Sequence, residues 1–194
     1  MQEGEHRDLM IQAIAAEGRA HAALLAGDHE TARATYAEAA AGYRASWALA
    51  PPKSYGRLVG LLKASIIAGS AQPAAEEVRA ELREDPDADG SPVAAYVRAV
   101  AAVAVHDDAA VPPLAEKMET RGEAFERTAA ALRALAQDDR EAYGAALAAI
   151  EADFAARDEH LTGVAIADTA VMLELLADER GLAARPDSPL VPVA

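Results

Sequence analysis

The chain has 194 residues, of which 32 are acidic and 18 basic, giving a formal net charge of −14, and it contains no cysteine. A field of that sign repels phosphate backbones and anionic lipid. Nucleic-acid and membrane-surface binding are therefore disfavoured, and a basic protein partner would be favoured, although an acidic surface that serves only solubility is the plainer reading. Without cysteine there are neither disulfides nor thiolate metal sites. A composition 52% apolar and 26% charged is that of one ordinary globular domain.

The opening Met1-Gln2-Glu3-Gly4-Glu5-His6 is acidic and has no apolar segment of the kind a secretory signal needs. No apolar run reaches the ~18 residues of a membrane span, and the longest, 93–105, is broken by Arg98. A cytoplasmic protein is expected. Lysine occurs only at Lys53, Lys63 and Lys117, and about a quarter of the chain is alanine, a composition associated with GC-rich bacterial genomes.

The alanines fall between larger apolar residues at helical spacing, the signature of amphipathic helices that pack closely through small side chains. A first helix is predicted over 5–26, with Met10, Ile14, Gly18, His21 and Leu25 inward. Asp28 caps a second that places Ala32, Tyr36, Ala39, Tyr43 and Trp47 on one stripe and stops at Pro51-Pro52. Tyr55, Val59, Leu62 and Ile66 make the face of a central third helix, and Pro73 opens a fourth containing Val78 and Leu82. Residues 91–106 are rich in β-branched side chains, which suits a strand, but their length and the spacing of Val93, Val97, Val100 and Ala104 predict a helix. A sixth helix follows Pro112-Pro113 with Leu114 and Met118 inward. A seventh carries Phe125, Ala129, Leu132 and Ala136, and an eighth Tyr143, Leu147, Ile150 and Phe154. A ninth, over 164–180, is apolar around most of its circumference and predicted to be buried. The predicted fold is all-α: eight or nine helices stacked as antiparallel hairpins in a single domain over 1–194. Its parts are N-terminal hairpins at 1–84, C-terminal helices at 91–181 and an extended, proline-rich tail at 182–194.

Two joints share a pattern. At 22–40, apolar residues lead through Gly27-Asp28 to Ala32, Tyr36 and Ala39. At 132–150 they lead through Asp138-Asp139 to Tyr143, Ala146 and Leu147. Both resemble the tetratricopeptide-repeat joint, although the helix pairs begin at uneven intervals, so the expectation is of repeat-like hairpins with one groove for a partner.

Asp85, Asp87 and Asp89 alternate before Gly90, as oxygen ligands do in an EF-hand loop, and are the candidate metal ligands. The pattern fails at its eighth place, Pro92, and its twelfth, Tyr96. An acidic connector is the favoured reading and a weak calcium site the alternative. Asp168 follows Val164 by four and precedes Val171, Met172 and Leu175, which predicts a carboxylate within an apolar arc. A buried carboxylate must be paired or protonated, and His160, Arg127 and Arg157 are the candidate partners. Asp168 and His160 are the candidate catalytic pair, although with no nucleophile motif nearby a structural ion pair that fixes the last helix is the favoured reading. His21 follows Glu17 by four, an interval at which the two can share a metal, as can Glu3 and His6 one step closer, though a satisfied core histidine is favoured. Tyr43, Arg44 and Trp47 lie on successive turns and, with Arg127, are the candidate binding residues. Trp47, the only tryptophan, reads either as core or as an interface anchor. Phosphate-binding glycine loops, a Gly-x-Ser-x-Gly elbow and zinc-ligand spacings are absent, so no cofactor is expected.

Residues 140–154, with Tyr143, Ala146-Leu147 and Phe154, lead through Glu159-His160 and an apolar helix to Arg180-Gly181-Leu182 and the ending Ser188-Pro189-Leu190-Val191-Pro192. This resembles the C-terminal region of immunity family forty-nine of bacterial polymorphic toxin systems, over about the last third of the chain. The resemblance implies an α-helical fold and a toxin domain as partner. The leading expectation is a non-catalytic protein-binding module presenting an acidic groove to a basic partner, as a monomer or homodimer. The alternative is an enzyme or small-molecule-binding helical protein built on Asp168 and His160.

Overall fold

The computed structural model describes residues 4–192; Met1–Glu3 and Val193–Ala194, and with them the Glu3–His6 step and the end of the tail, lie outside the described residues. Within that range there are nine α-helices and no strand: α1 (Glu5–Leu25), α2 (His29–Leu49), α3 (Gly56–Ile67), α4 (Ala71–Arg83), α5 (Pro92–Ala104), α6 (Val111–Glu119), α7 (Glu123–Ala136), α8 (Arg140–Ala155) and α9 (Asp168–Glu179). No helix among the described residues is long and apolar enough to cross a membrane.

The helices end by a recurring device. A residue in the left-handed region reverses the chain, and the next amide reaches back five residues to a carbonyl the helix leaves unpaired. Gly27 (φ 74°) lets Asp28 N–H donate to Ala23 O at 2.9 Å, and Gly181 (φ 68°) lets Leu182 N–H donate to Ala177 O at 2.8 Å. Asp138 (φ 53°) plays the same part, with Asp139 N–H donating to Ala134 O at 2.9 Å. Asp28 and Asp139 then turn from stop to start. Their carboxylates accept from Thr31 N–H at 3.1 Å and Ala142 N–H at 3.0 Å, capping α2 and α8. The two joints that look alike in sequence are thus built alike.

Consecutive helices pack against one another. α3 also meets α5, and α5 meets α7, so alternate helices form an inner layer. α9 folds back against α3, α7 and α8. α5 is helical despite its valines because it is surrounded: Ala94 through Val97 and Ala99 through Ala104 are all buried. Burial on every side outweighs the few tenths of a kcal/mol that separate β-branched residues from better helix formers, about 0.5 kcal/mol each. Ser91 Oγ accepts from Ala94 N–H at 3.3 Å and Pro92 opens the helix.

Two expectations are corrected. The buried face of α1 is Ala13, Ala16, Glu17, Ala20, His21 and Leu24, rotated from the predicted stripe, and Leu25 is exposed. Small residues set this rotation. A Cβ on Gly42 of α2 would lie 3.0 Å from Ala13 Cβ, so the two backbones meet where side chains are smallest. The ninth helix begins at Asp168 rather than 164. Residues 161–167 run outside helix, with Gly163 at φ 72°, and Ala167 N–H donates to Leu190 O at 2.8 Å. The extended tail therefore takes the hydrogen bond that a longer helix would have used.

The tail is held as a strap. The buried Glu174 carboxylate accepts from Tyr143 O–H (2.7 Å), Ala184 N–H (3.0 Å) and Arg185 N–H (2.7 Å). Arg140 donates to Gly181 O and to Ala183 O. Arg180 donates to Val103 O and Asp108 Oδ1, both at 2.8 Å, tying the end of α9 to the end of α5.

Candidate functional site

A cavity of about 470 Å³ opens between α1, α3, α5, α7, α8, α9 and the connector before α9. α1 contributes His21, α3 Val59 and Lys63, and α5 Tyr96. α7 supplies Phe125, Arg127 and Thr128, α8 Ile150, Asp153 and Phe154, and α9 Asp168 and Thr169. The connector before α9 closes one side with Arg157, His160, Thr162 and Val164.

The floor is a buried charge cluster. Lys63 Nζ donates to Asp168 Oδ2 and lies 3.1 Å from Glu17 Oε1, and these three side chains are only 12%, 14% and 1% exposed. Glu17 Oε2 accepts from Tyr43 O–H at 2.8 Å. Burial alone would lower the Lys63 ammonium, but Asp168 and Glu17 outweigh it and hold the group well above the ordinary lysine range. Burial would likewise raise the Asp168 carboxyl, yet the Lys63 charge and its hydrogen bond keep it below the usual carboxylate range. Its place in the first turn of α9 adds the favourable field of a helix N-terminus.

Beside this cluster, His21 Nδ1 and Thr162 Oγ1 share a hydrogen bond of 2.9 Å, fastening the connector to α1. Burial pushes the His21 imidazole below its ordinary value. Three buried side-chain atoms lack a hydrogen-bond partner among the described residues: Glu17 Oε1, His21 Nε2 and the Tyr36 hydroxyl. The His21 and Tyr36 rings are neighbours at 5.8 Å. Glu17 Oε1 still has the Lys63 ammonium at 3.1 Å, whereas a buried polar atom with no partner costs about 1–3 kcal/mol, the position of His21 Nε2 and the Tyr36 hydroxyl.

The rim is aromatic and basic. Asp153 receives two guanidiniums, Arg127 and Arg157, each at 2.5 Å. The Arg157 guanidinium lies 3.7 Å over the Phe154 ring and His160 stacks near the same ring at 6.4 Å. Tyr96 and Phe125 form a tilted pair at 5.6 Å.

Asp168, His160, Arg127 and Arg157 all line this one cavity, but Asp168 is paired with Lys63 rather than with any of the three predicted partners. Tyr43 reaches the same cluster through Glu17. Arg44 and Trp47 do not: Arg44 grips Glu77 with two hydrogen bonds (2.5 and 2.7 Å) and Trp47 Nε1 donates to Glu81 Oε2 at 3.1 Å, both tying α2 to α4. The acidic loop lies elsewhere and its carboxylates have partners. Asp85 accepts from Tyr55 O–H, Asp87 pairs with Lys53 at 3.2 Å, and Asp89 pairs with Arg98 at 2.6 Å. Tyr96, which stands at the twelfth place of the EF-hand pattern, lines the cavity instead.

Lys63 and Thr162 are site residues that sequence reasoning missed, and Glu17 enters it only as a metal partner for His21. For Lys63 a signal existed: it is the one charged residue within the apolar run Leu58 to Ile67 of a helix predicted to be central. Thr162 carries none, because only the path of the connector brings it to His21. Comparison with protein-family models, with curated proteins and with solved structures finds no match for this chain.

Proposed function

We propose that the chain binds a small amphipathic molecule in the cavity above Asp168. The cavity itself carries this reading. Its volume of about 470 Å³ lies in the range of ligand pockets, its walls are aromatic and aliphatic, and charged groups stand at floor and rim. Lys63, Arg127 and Arg157 face Asp153 and Asp168, so the lining is not acidic although the chain as a whole is. Phe125, Phe154 and Tyr96 offer flat surface to an apolar body, and the ends of the pocket offer polar groups to its substituents. Asp168 serves here as an anchor rather than a base. A carboxyl held below its usual range by Lys63 is a poor proton acceptor at neutral pH.

The test is a thermal-shift screen with ring compounds of similar size bearing an acid, an amine or a neutral polar group. It compares the parent with Ala124→Trp, which places bulk on the exposed pocket rim. A dose-dependent rise in Tm in the parent that is lost in Ala124→Trp supports the reading. Equal shifts in both, or none in either, refute it.

A second reading, an acidic surface receiving a basic protein, is supported by the net charge of −14 and by the exposed apolar residues Ile11 (64%) and Leu161 (75%). The resemblance of the C-terminal third would make that partner a toxin domain. Its association rate falls as salt rises and is indifferent to Ala124→Trp, so the two readings separate.

A further inference from the structure

Three potential metal ligands meet at the buried end of the cavity, two of them, His21 and Asp168, in its lining. Glu17, His21 and Asp168 each offer one ligand atom, and these atoms lie within 4.8 Å of one another. Zinc-type ligands sit about 2.0–2.2 Å from the ion, so shared ligation requires side-chain adjustment and no refolding. Glu17 and His21 are one helical turn apart on α1 and Asp168 opens α9, so the set rests on two packed elements. The cluster is not merely acidic. His21 is 1% exposed with Nε2 unpartnered, and Glu17 is fully buried with Oε1 met only by the Lys63 ammonium at 3.1 Å. Ligation through Nε2 requires the proton on Nδ1, and Thr162 Oγ1 stands 2.9 Å from Nδ1 as its acceptor, the supporting contact that metal-binding histidines ordinarily have.

We propose that Glu17, His21 and Asp168 form a binding site for a divalent first-row transition metal, with Lys63 as the resident cation that competes for it. Two carboxylates and one imidazole suit zinc, cobalt(II) or manganese rather than a thiophilic ion. Lys63 offsets one of the two carboxylate charges when no metal is bound. Its side chain is unbranched and borders the open cavity, so the ammonium has space to withdraw when the ion enters. The cavity leaves the remaining coordination positions to water or to a ligand atom.

The test uses the full chain, stripped with chelator, and Zn²⁺ or Co²⁺ alone, with no organic ligand. Failure of the pocket reading and failure of this one are therefore distinguishable. One ion binds per chain, and at one equivalent of Zn²⁺ the His21 ring nitrogens shift in the NMR spectrum ahead of the other histidines. His21→Gln weakens binding by about tenfold or more, while Lys63→Gln, which removes the competitor, strengthens it by a similar factor. Should Lys63→Gln fold poorly, Zn²⁺ raises its Tm more than that of the parent, and the titration of the parent's His21 stands without it. Absence of stoichiometric uptake overturns the proposal. So does uptake that leaves the His21 signals unmoved, or that is lost in Asp85→Asn/Asp87→Asn rather than in His21→Gln.

Discussion

Gly60 is where α3 lets the Tyr43 ring pass. A Cβ added there would lie 2.6, 2.7 and 2.8 Å from Cζ, Cε1 and Cδ1 of that ring. To reach an ordinary contact of 3.4 Å the ring must retreat by 3.4 − 2.6 = 0.8 Å. It has little freedom to do so, since Tyr43 is 3% exposed and its hydroxyl is held by Glu17 at 2.8 Å. In an open helix Gly→Ala would gain about 1 kcal/mol. Overpacking costs about 1–3 kcal/mol, and strain on a buried hydrogen bond to a carboxylate draws on a further ~1.5–3 kcal/mol. Gly60→Ala is therefore expected to destabilise by about 1–3 kcal/mol net, or lower Tm by roughly 3–10 °C for a chain of this size. Urea denaturation followed by circular dichroism measures it. In a Tyr43→Leu background the ring is gone, and the same substitution should become neutral or stabilising. An alanine that stabilises the parent, or one that costs as much in the leucine background, refutes the close packing of α3 on Tyr43 beneath the site.

Three further outcomes follow from buried polar groups. All five tyrosines are shifted upward, Tyr55 and Tyr96 to about 12 and Tyr36, Tyr43 and Tyr143 further, chiefly by burial. The unfolded chain loses phenolic protons near pH 10 while the folded one keeps them, so stability is full below pH 10 and falls as pH rises above it. Absorbance at 295 nm should rise only with alkaline unfolding, and a reversible transition near pH 10 in the folded protein would contradict the burial. Lys63→Met leaves two buried carboxylates without their cation and should cost about 3–5 kcal/mol in urea denaturation, most of it recovered in the triple variant with Glu17→Gln and Asp168→Asn; equal instability of single and triple variants tells against the cluster. Glu174→Ala removes the acceptor of the Ala184 and Arg185 amides, so hydrogen exchange at both should accelerate while the amides of α5 stay protected.

The sequence carried the architecture because the helices are announced twice, by apolar period and by stop signals. Gly27-Asp28 and Asp138-Asp139 were legible as joints because left-handed residues and aspartate caps have local physical requirements. The rotation of α1 was not, since it depends on Ala13 meeting Gly42, a long-range contact between small residues that leave no amphipathic mark. The site was half legible. Asp168 and His160 were singled out, and both line the cavity, because a carboxylate among apolar residues is conspicuous. Its partner is not legible, because the nearest cations in sequence, Arg157 above all, are claimed by Asp153, while Lys63 arrives from 105 residues away. Asp168 also proves to open its helix rather than sit within it, because the tail strap takes Ala167.

The most direct measurement is the set of intermolecular nuclear Overhauser effects between the protein and the compound that stabilises it most in the thermal-shift screen. Contacts to the methyl groups of Val59, Ile150 and Val164, which line the cavity from α3, α8 and the connector, are the predicted result. Contacts confined to the outer faces of α2, α4 or α6 would place the ligand elsewhere and contradict the account.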